Sequence, residues 1–544
     1  MLSAKFGFRR RMAGTLLAVT LAPWGTPALA QTAPLHAEAA PAVSVLQAQL
    51  PPGITLRYGH ELAVMYAAHS EQPMWQDSEV VRDFQQQLAE LALSGVQPQF
   101  ARWADALTDP RLHGMARDIL LSDAMMGYLQ YVAGVTANGD AWLYGNKSYT
   151  LAAPPVGLVD NWQRALRQGK LTVFIRSLAP SNPQYLAMRS ALERLLADTT
   201  PWPQMPGGPT LRPGDSSPAV APLREILLRS GALPATDEGD GNVYTPALVA
   251  AVKRFQSGQG LTPDGVIGPR TYAWLNVTPS MRASLLALNI QRLRLLPASV
   301  YTGIMVNIPN YSMIYFREGK DVLSSRVIVG RPARKTPLMN SELNNVVVNP
   351  PWNVPTKLVR EDIVPKAMRD PGYFERHGYT LLSGWSGDVQ VINPYMLDWS
   401  SVSARNFPYR VRQAPGAGNS LGRFKFNMPS QDAIYLHDTP NHALFNQDIR
   451  ALSSGCVRIN KASTLADMLL ADAGWSPERV ASALQAGNTQ YVPIRQRIPV
   501  RLYYQTVWVS DGGEPQFRTD IYNYDQLARN GSRSVAQARQ LFHL

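Results

Sequence analysis

A single cysteine occurs in the 544-residue chain, Cys456, within the run Ser453-Ser454-Gly455-Cys456-Val457-Arg458-Ile459-Asn460. A thiol attacks as its thiolate, so it needs a base within reach. His437 stands nineteen positions earlier, at the end of the apolar triplet Ile434-Tyr435-Leu436 and just before the turn Asp438-Thr439-Pro440. An imidazole there could take the thiol proton and later return it to a departing amine. Gly455 permits a positive φ directly before Cys456. Backbone N–H groups in such a turn, those of Cys456 and Gly455, can converge on a developing oxyanion. Arg458 supplies a fixed cation whose planar fork suits a substrate carboxylate. Each residue alone has an ordinary structural use, and their meeting around the only cysteine marks a candidate acyl-transfer site.

Other chemistries fit less well. His437 and His442 are five positions apart, but Pro440 opposes a continuous helix between them and no third zinc ligand is evident. One cysteine allows neither an internal disulfide nor a Cys-rich metal site, so no metal and no cofactor is expected. The folded part carries no convincing Ser-x-x-Lys run of the serine acyl-enzymes.

Several elements must position these residues. From Tyr301 onward, short β-branched runs (Ile304–Ile308, Ser312–Phe316, Ser325–Val329, Asn345–Val348) predict a β-sheet domain over 299–495, with Ile434–Leu436 a strand carrying His437. Ser463 would cap a helix bearing Leu465, Met468 and Leu469 on one face. Residues 350–421, rich in Pro, Gly, Trp and Tyr, lack a regular pattern and read as an insert that caps the site. Upstream, 51–200 is helical, with apolar faces such as Val81/Phe84/Leu88/Leu91 and Leu121/Met125/Leu129/Val132, completed by a helix in 278–298. A Pro/Gly stretch at 201–213 opens a compact unit ending at 277. Residues 31–50, Ala/Pro/Gln-rich, read as a linker, and 496–544 as a C-terminal extension. The expected fold class is multidomain α+β.

Lys and Arg number 52 against 40 Asp and Glu, a formal charge of +12. The basic residues are dispersed, which gives no nucleic-acid footprint. Their densest cluster, Arg9-Arg10-Arg11, precedes the apolar run Met12–Ala22 and the Ala28-Leu29-Ala30 cleavage site, the order of a secretory signal peptide at 1–30. Whether export is by the general or the twin-arginine route stays open. No later run of about 18 apolar residues occurs, so no span is expected in the mature chain. A lone thiol suits an oxidising compartment.

Two resemblances carry the reading further. The segment 211–276, with Ala250-Ala-Val-Lys-Arg-Phe-Gln256 and Asp264-Gly-Val-Ile-Gly-Pro-Arg-Thr271, resembles the three-helix peptidoglycan-binding domain of wall enzymes. His437 followed by Ser453, Gly455 and Cys456 resembles the signature of YkuD-type L,D-transpeptidases, with Ser454 where most members carry a second His. The large Gram-negative YcbB-type members are similar in their Ser-Ser-Gly-Cys-Val-Arg run, helical scaffold, binding domain and capping segment. Gly330-Arg-Pro, Lys335-Thr-Pro and Ser420-Leu-Gly-Arg-Phe-Lys-Phe fit as well. The resemblance implies a mostly-β catalytic domain in a periplasmic enzyme. Cys456 would form an acyl-enzyme on a tetrapeptide stem of the wall, with His437 as base, and 3→3 cross-links would result. It also implies carbapenem inhibition and other wall-synthesis enzymes as partners. Tyr435 and Trp352 would wall the pocket, and Ser454 and Arg458 would meet substrate. The acceptor (stem peptide, lipoprotein or water) and a third triad member stay open. A non-catalytic wall-binding protein is the alternative reading.

Overall fold

The computed structural model describes residues 36–237, 239 and 241–543; the segment read as a signal peptide, 1–30, lies outside them. Fifteen strands run through the described part. They are β1 (Gly303–Asn307), β2 (Ser312–Arg317), β3 (Lys320–Gly330) and β4 (Met339–Val348); then β5 (Trp352–Asn353), β6 (Tyr379–Leu382), β7 (Val391–Ile392) and β8 (Arg410–Gln413) in the insert. After the insert come β9 (Phe424–Asn427), β10 (Leu436–His437), β11 (Ala451–Ser453), β12 (Val457–Ile459) and β13 (Gln490–Tyr503), followed by the hairpin β14 (Val507–Val509) and β15 (Pro515–Phe517).

The main sheet has the order β11-β3-β12-β10-β9-β4-β13-β1-β2, and β2 also pairs with β3, so the sheet closes on itself. Alternation explains its strands: Ile304 and Val306 of β1, and Ile498, Val500 and Leu502 of β13, are buried, while Pro499 is exposed and Arg501 half-buried between them. The parallel pairs β1–β13 and β10–β12 sit among antiparallel neighbours.

Helices form the other half. Asp77 accepts from the N–H groups of Glu79 and Val80 to start the helix Ser78–Ser94, which Gly95 ends at φ +71. That helix buries Val80, Phe84, Leu88 and Leu91. Helices Gly114–Trp142 and Pro279–Arg292 pack into the same core, which runs without a break into the sheet domain. Two further cores are separate: one within 205–275 and one within the insert, from Val354 to Val411.

Several boundaries differ from those expected. Residues 36–48 form a helix rather than a linker, and Leu46 and Leu50 are buried in the scaffold core. The Gln47 side chain bonds Ile54 O and Leu56 N, which fixes the segment. The sheet domain does not stop at 495: β13 runs on to Tyr503 between β4 and β1. The tail beyond it is integral. Gly531 packs so tightly that a Cβ there would lie 1.7 Å from Leu93 O, and Asp525 pairs with buried Arg292 at 2.6 Å. The insert holds its own four-stranded sheet, β5-β8-β6-β7, whose strands are too short to show alternation. The strand expected at 434–436 is shifted to Leu436–His437. Ser463 lies inside the helix Ala462–Asp472, whose N-cap position is Lys461 with no side-chain cap bond.

Candidate functional site

Strand pairing builds the site. β10 runs parallel to β12 with Leu436 opposite Val457 and His437 opposite Arg458. Leu436 and Val457 are wholly buried in the sheet core. A period of two therefore turns Tyr435, His437, Cys456 and Arg458 to the other face. There they line a cleft of about 660 Å³ together with Trp352, Ser453, Ser454 and Gly455. All seven expected site residues are thus brought together.

His437 is 5% exposed, and its Nδ1 lies 2.5 Å from the Asp438 carbonyl oxygen. A carbonyl only accepts, so Nδ1 carries the proton and Nε2 keeps a free lone pair. Burial, then the charge of Arg458, push the imidazole down to about 3; the Asp438 carbonyl opposes them and Lys425 adds to them. The ring is neutral at neutral pH. Burial pushes the Cys456 thiol up, against the Tyr435 N–H, the Lys425 charge, the Tyr435 hydroxyl and Arg458. At rest the cleft holds a neutral thiol, donating to the Ala433 carbonyl at 3.9 Å, and a neutral imidazole, not a preformed thiolate.

The group that orients His437 is a backbone oxygen. The Asp438 carboxylate instead accepts from the Arg423 N–H at 2.8 Å and lies 3.4 Å from His442 Nε2. Gly455 has φ +125, a conformation only glycine adopts without strain. Its N–H donates to Ser453 Oγ at 3.1 Å, and that hydroxyl donates to Cys456 O at 2.6 Å. The expected use of the Gly455 N–H as an oxyanion donor is therefore corrected, because it is occupied within its own turn.

Trp352, on β5 of the insert, forms part of the wall and its indole N–H meets the Tyr435 hydroxyl. Ser454 accepts from Arg334 Nη1 at 3.0 Å. Arg334 in turn pairs with Asp362 and Glu361 of the insert, each at 2.5 Å, and so ties the Cys456 loop to the cap. Arg458 is half-buried with its Nε unpartnered, and burial lowers its affinity for the proton. The cleft also gathers Arg331, Lys335, Lys357 and Lys366 against Asp362 and Asp432. Sequence reasoning missed Lys425, which pairs across from His437 on β9 with its Nζ 4.1 Å from the Tyr435 ring centroid. Its signal was a lysine between two buried phenylalanines, Phe424 and Phe426.

Comparison with known proteins identifies the domains of the chain. The model of the L,D-transpeptidase catalytic domain, YkuD, matches residues 301–488. A "Scaffold domain" matches 60–192, and a "Putative peptidoglycan binding domain" matches 216–275. A Haemophilus influenzae protein named "Putative L,D-transpeptidase" is 36% identical over 472 residues, 87% of this chain and 79% of that protein. An uncharacterized protein of Kitasatospora aureofaciens is 42% identical over 72 residues, 13% of this chain and 59% of its own. Among solved structures, an L,D-transpeptidase from Xylanimonas cellulosilytica aligns at 15% identity and TM-score 0.18, covering 55% of this chain and 99% of that one. No helix among the described residues is long and apolar enough to cross a membrane. The similarity to the Haemophilus protein over most of both chains, and the catalytic-domain match centred on the cleft, place this chain in the L,D-transpeptidase family, with a YkuD-type catalytic domain and a peptidoglycan-binding domain.

Proposed function

We propose that the protein is a periplasmic L,D-transpeptidase that forms 3→3 cross-links in peptidoglycan through an acyl-enzyme on Cys456. The observation that carries this reading is the placement of the Cys456 thiol and a neutral His437 on one face of the β10–β12 pair, at the base of a cationic cleft. Cys456 Sγ attacks the carbonyl between the third and fourth residues of a tetrapeptide stem while His437 Nε2 takes the thiol proton. The C–N bond then breaks, and the imidazolium gives that proton to the departing D-Ala amine. The side-chain amine of a diaminopimelate on a second stem next attacks the thioester. His437 removes its proton and returns it to the sulfur, leaving a new amide and the free thiol. Waiting as a neutral pair avoids holding an ion pair in a buried site before substrate arrives. Arg458 has no carboxylate partner among the described ion pairs, and a stem carboxylate would supply one. Export rests on the signal-peptide pattern of residues 1–30.

The test is the intact mass of the purified mature protein after incubation with a carbapenem, beside Cys456→Ala. One covalent adduct on the wild type only is expected, followed by a cross-linked dimer and released D-Ala from tetrapeptide stems. A folded wild type without an adduct would sink the reading and leave a wall-binding protein. Product analysis also separates stem acceptors from a lipoprotein or water, which share the same acyl-enzyme.

A further inference from the structure

We infer that Thr336, held in place by Tyr522 of the C-terminal segment, is a positioning residue that aims the Cys456 N–H as the oxyanion donor. This rests on the acyl-enzyme reading above. Thr336 is fully buried, and its hydroxyl is saturated in both senses. It accepts the Gly330 N–H at 2.8 Å and donates to the Gly455 carbonyl at 2.7 Å. Its own N–H donates to the Tyr522 hydroxyl at 3.0 Å, and that hydroxyl donates to Gly330 O at 2.5 Å. The hydroxyl stays protonated because burial pushes Tyr522 up to about 12.

Peptide planarity links this network to the chemistry. The Gly455 carbonyl and the Cys456 N–H belong to one planar unit, and no described peptide bond is cis, so the two groups point in opposite directions. A carbonyl fixed toward buried Thr336 turns the Cys456 N–H away from Thr336. Two features make that restraint necessary. Gly455, at φ +125 and without a Cβ, resists rotation of the unit less than any other residue would. Its own N–H, bound to Ser453 Oγ, offers no substitute donor. Tyr522 is itself anchored, its N–H on the Tyr504 hydroxyl at 3.1 Å and its carbonyl on Lys335 Nζ at 2.9 Å. The last forty residues therefore reach the reacting centre through two side chains that touch no substrate.

Thr336→Val, Thr336→Ser and Tyr522→Phe test this in the full-length mature protein by two rates at Cys456. Acylation by a carbapenem passes through an oxyanion; alkylation by iodoacetamide forms the S–C bond and expels iodide with no oxyanion. Thr336→Val and Tyr522→Phe are expected to slow acylation roughly 10- to 100-fold, with alkylation within about twofold of wild type. Thr336→Ser, which keeps the hydroxyl, is expected to retain both rates. Should Thr336→Val fail to fold, Tyr522→Phe carries the same contrast. Unchanged acylation in the variants that fold, or a parallel fall in both rates, would overturn the inference. A wild type that is alkylated yet never acylated would overturn the acyl-enzyme reading, and this inference with it.

Discussion

His437 combines two demands that water would set against each other: a free Nε2 lone pair and a fixed ring. Burial supplies the first and the Asp438 carbonyl the second. An unfolded histidine titrates near 6.5 and this one at about 3, so between those values the unfolded chain binds a proton that the native chain refuses. Stability contributed here is present above about pH 6.5 and is lost as pH falls toward 3, by up to ~1.4 kcal/mol per pH unit. His437→Gln should flatten that dependence, and urea midpoints of both proteins at pH ~7 and ~5 check it. On the same ground, the acid limb of kcat/KM should fall well below pH 6.5; a limb at 6.5 would mean that substrate reaches a solvated imidazole. Arg458 behaves in the opposite way, since a half-buried cation with no acidic partner among the described residues costs stability unless a ligand supplies the anion. Arg458→Met should leave Tm equal or higher while raising KM for stem peptides about tenfold, a loss of roughly 1.4 kcal/mol in substrate binding; thermal melts and steady-state kinetics read both. The sequence made the thiol, the imidazole and the arginine legible because rare side chains near the only cysteine stand out. It concealed the Asp438 carbonyl and the Ser453–Gly455 bond because backbone groups have no letter of their own. Lys425 was hidden for another reason: an outward lysine on a strand looks like any solvated one until Tyr435 is found over it.

Elements of the insert line the approach to these residues. The insert is a small unit with its own core, and Arg334 is the pin between it and the Cys456 loop, joining Asp362 and Glu361 on one side to Ser454 on the other. Arg334→Ala should loosen the cap. Hydrogen exchange should rise across residues 356–367, and KM for stem peptides should rise more than the acylation rate by a small carbapenem falls. Equal exchange in the two proteins would show that the aromatic wall at Trp352 holds the cap without the pin. Apolar residues three and four apart exposed the helix Ser78–Ser94, and the β-branched run Asn345–Val348 exposed the buried end of β4. The insert's strands of two to four residues fall below that length. The domain boundary expected at 495 falls inside β13, where its pairing with β4 shifts register between Pro493 and Ile498 and interrupts the alternation in mid-strand. The helix 36–48 was concealed by a composition shared with linkers, although Leu46 and Leu50 seat it in the scaffold core.

The whole molecule divides by its cores rather than by its sequence boundaries. Scaffold and sheet domain share one core, whereas the unit within 205–275 has its own and meets the rest through polar and aromatic contacts. Arg282, for example, donates to Gln259 and to Trp274 O and lies between the Phe255 and Phe517 rings. Removing 201–277 and rejoining the chain with a short flexible linker should leave carbapenem acylation within about threefold of wild type, a difference of roughly 0.7 kcal/mol. Sedimentation with isolated cell walls should be lost. A variant that still sediments would assign wall affinity to the scaffold or the cleft. The closed sheet has one more consequence. β1 pairs in parallel with β13, Ile304 against Val500, so an early strand must wait for one made nearly two hundred residues later. Pairing across such a separation is slow and cannot begin before the later strand exists. A growing chain therefore carries Cys456 before it carries the strand that closes the sheet or the tyrosine that steadies the loop. A chain ended before these segments would hold the thiol but neither the closed sheet nor the Tyr522 contacts that build its site.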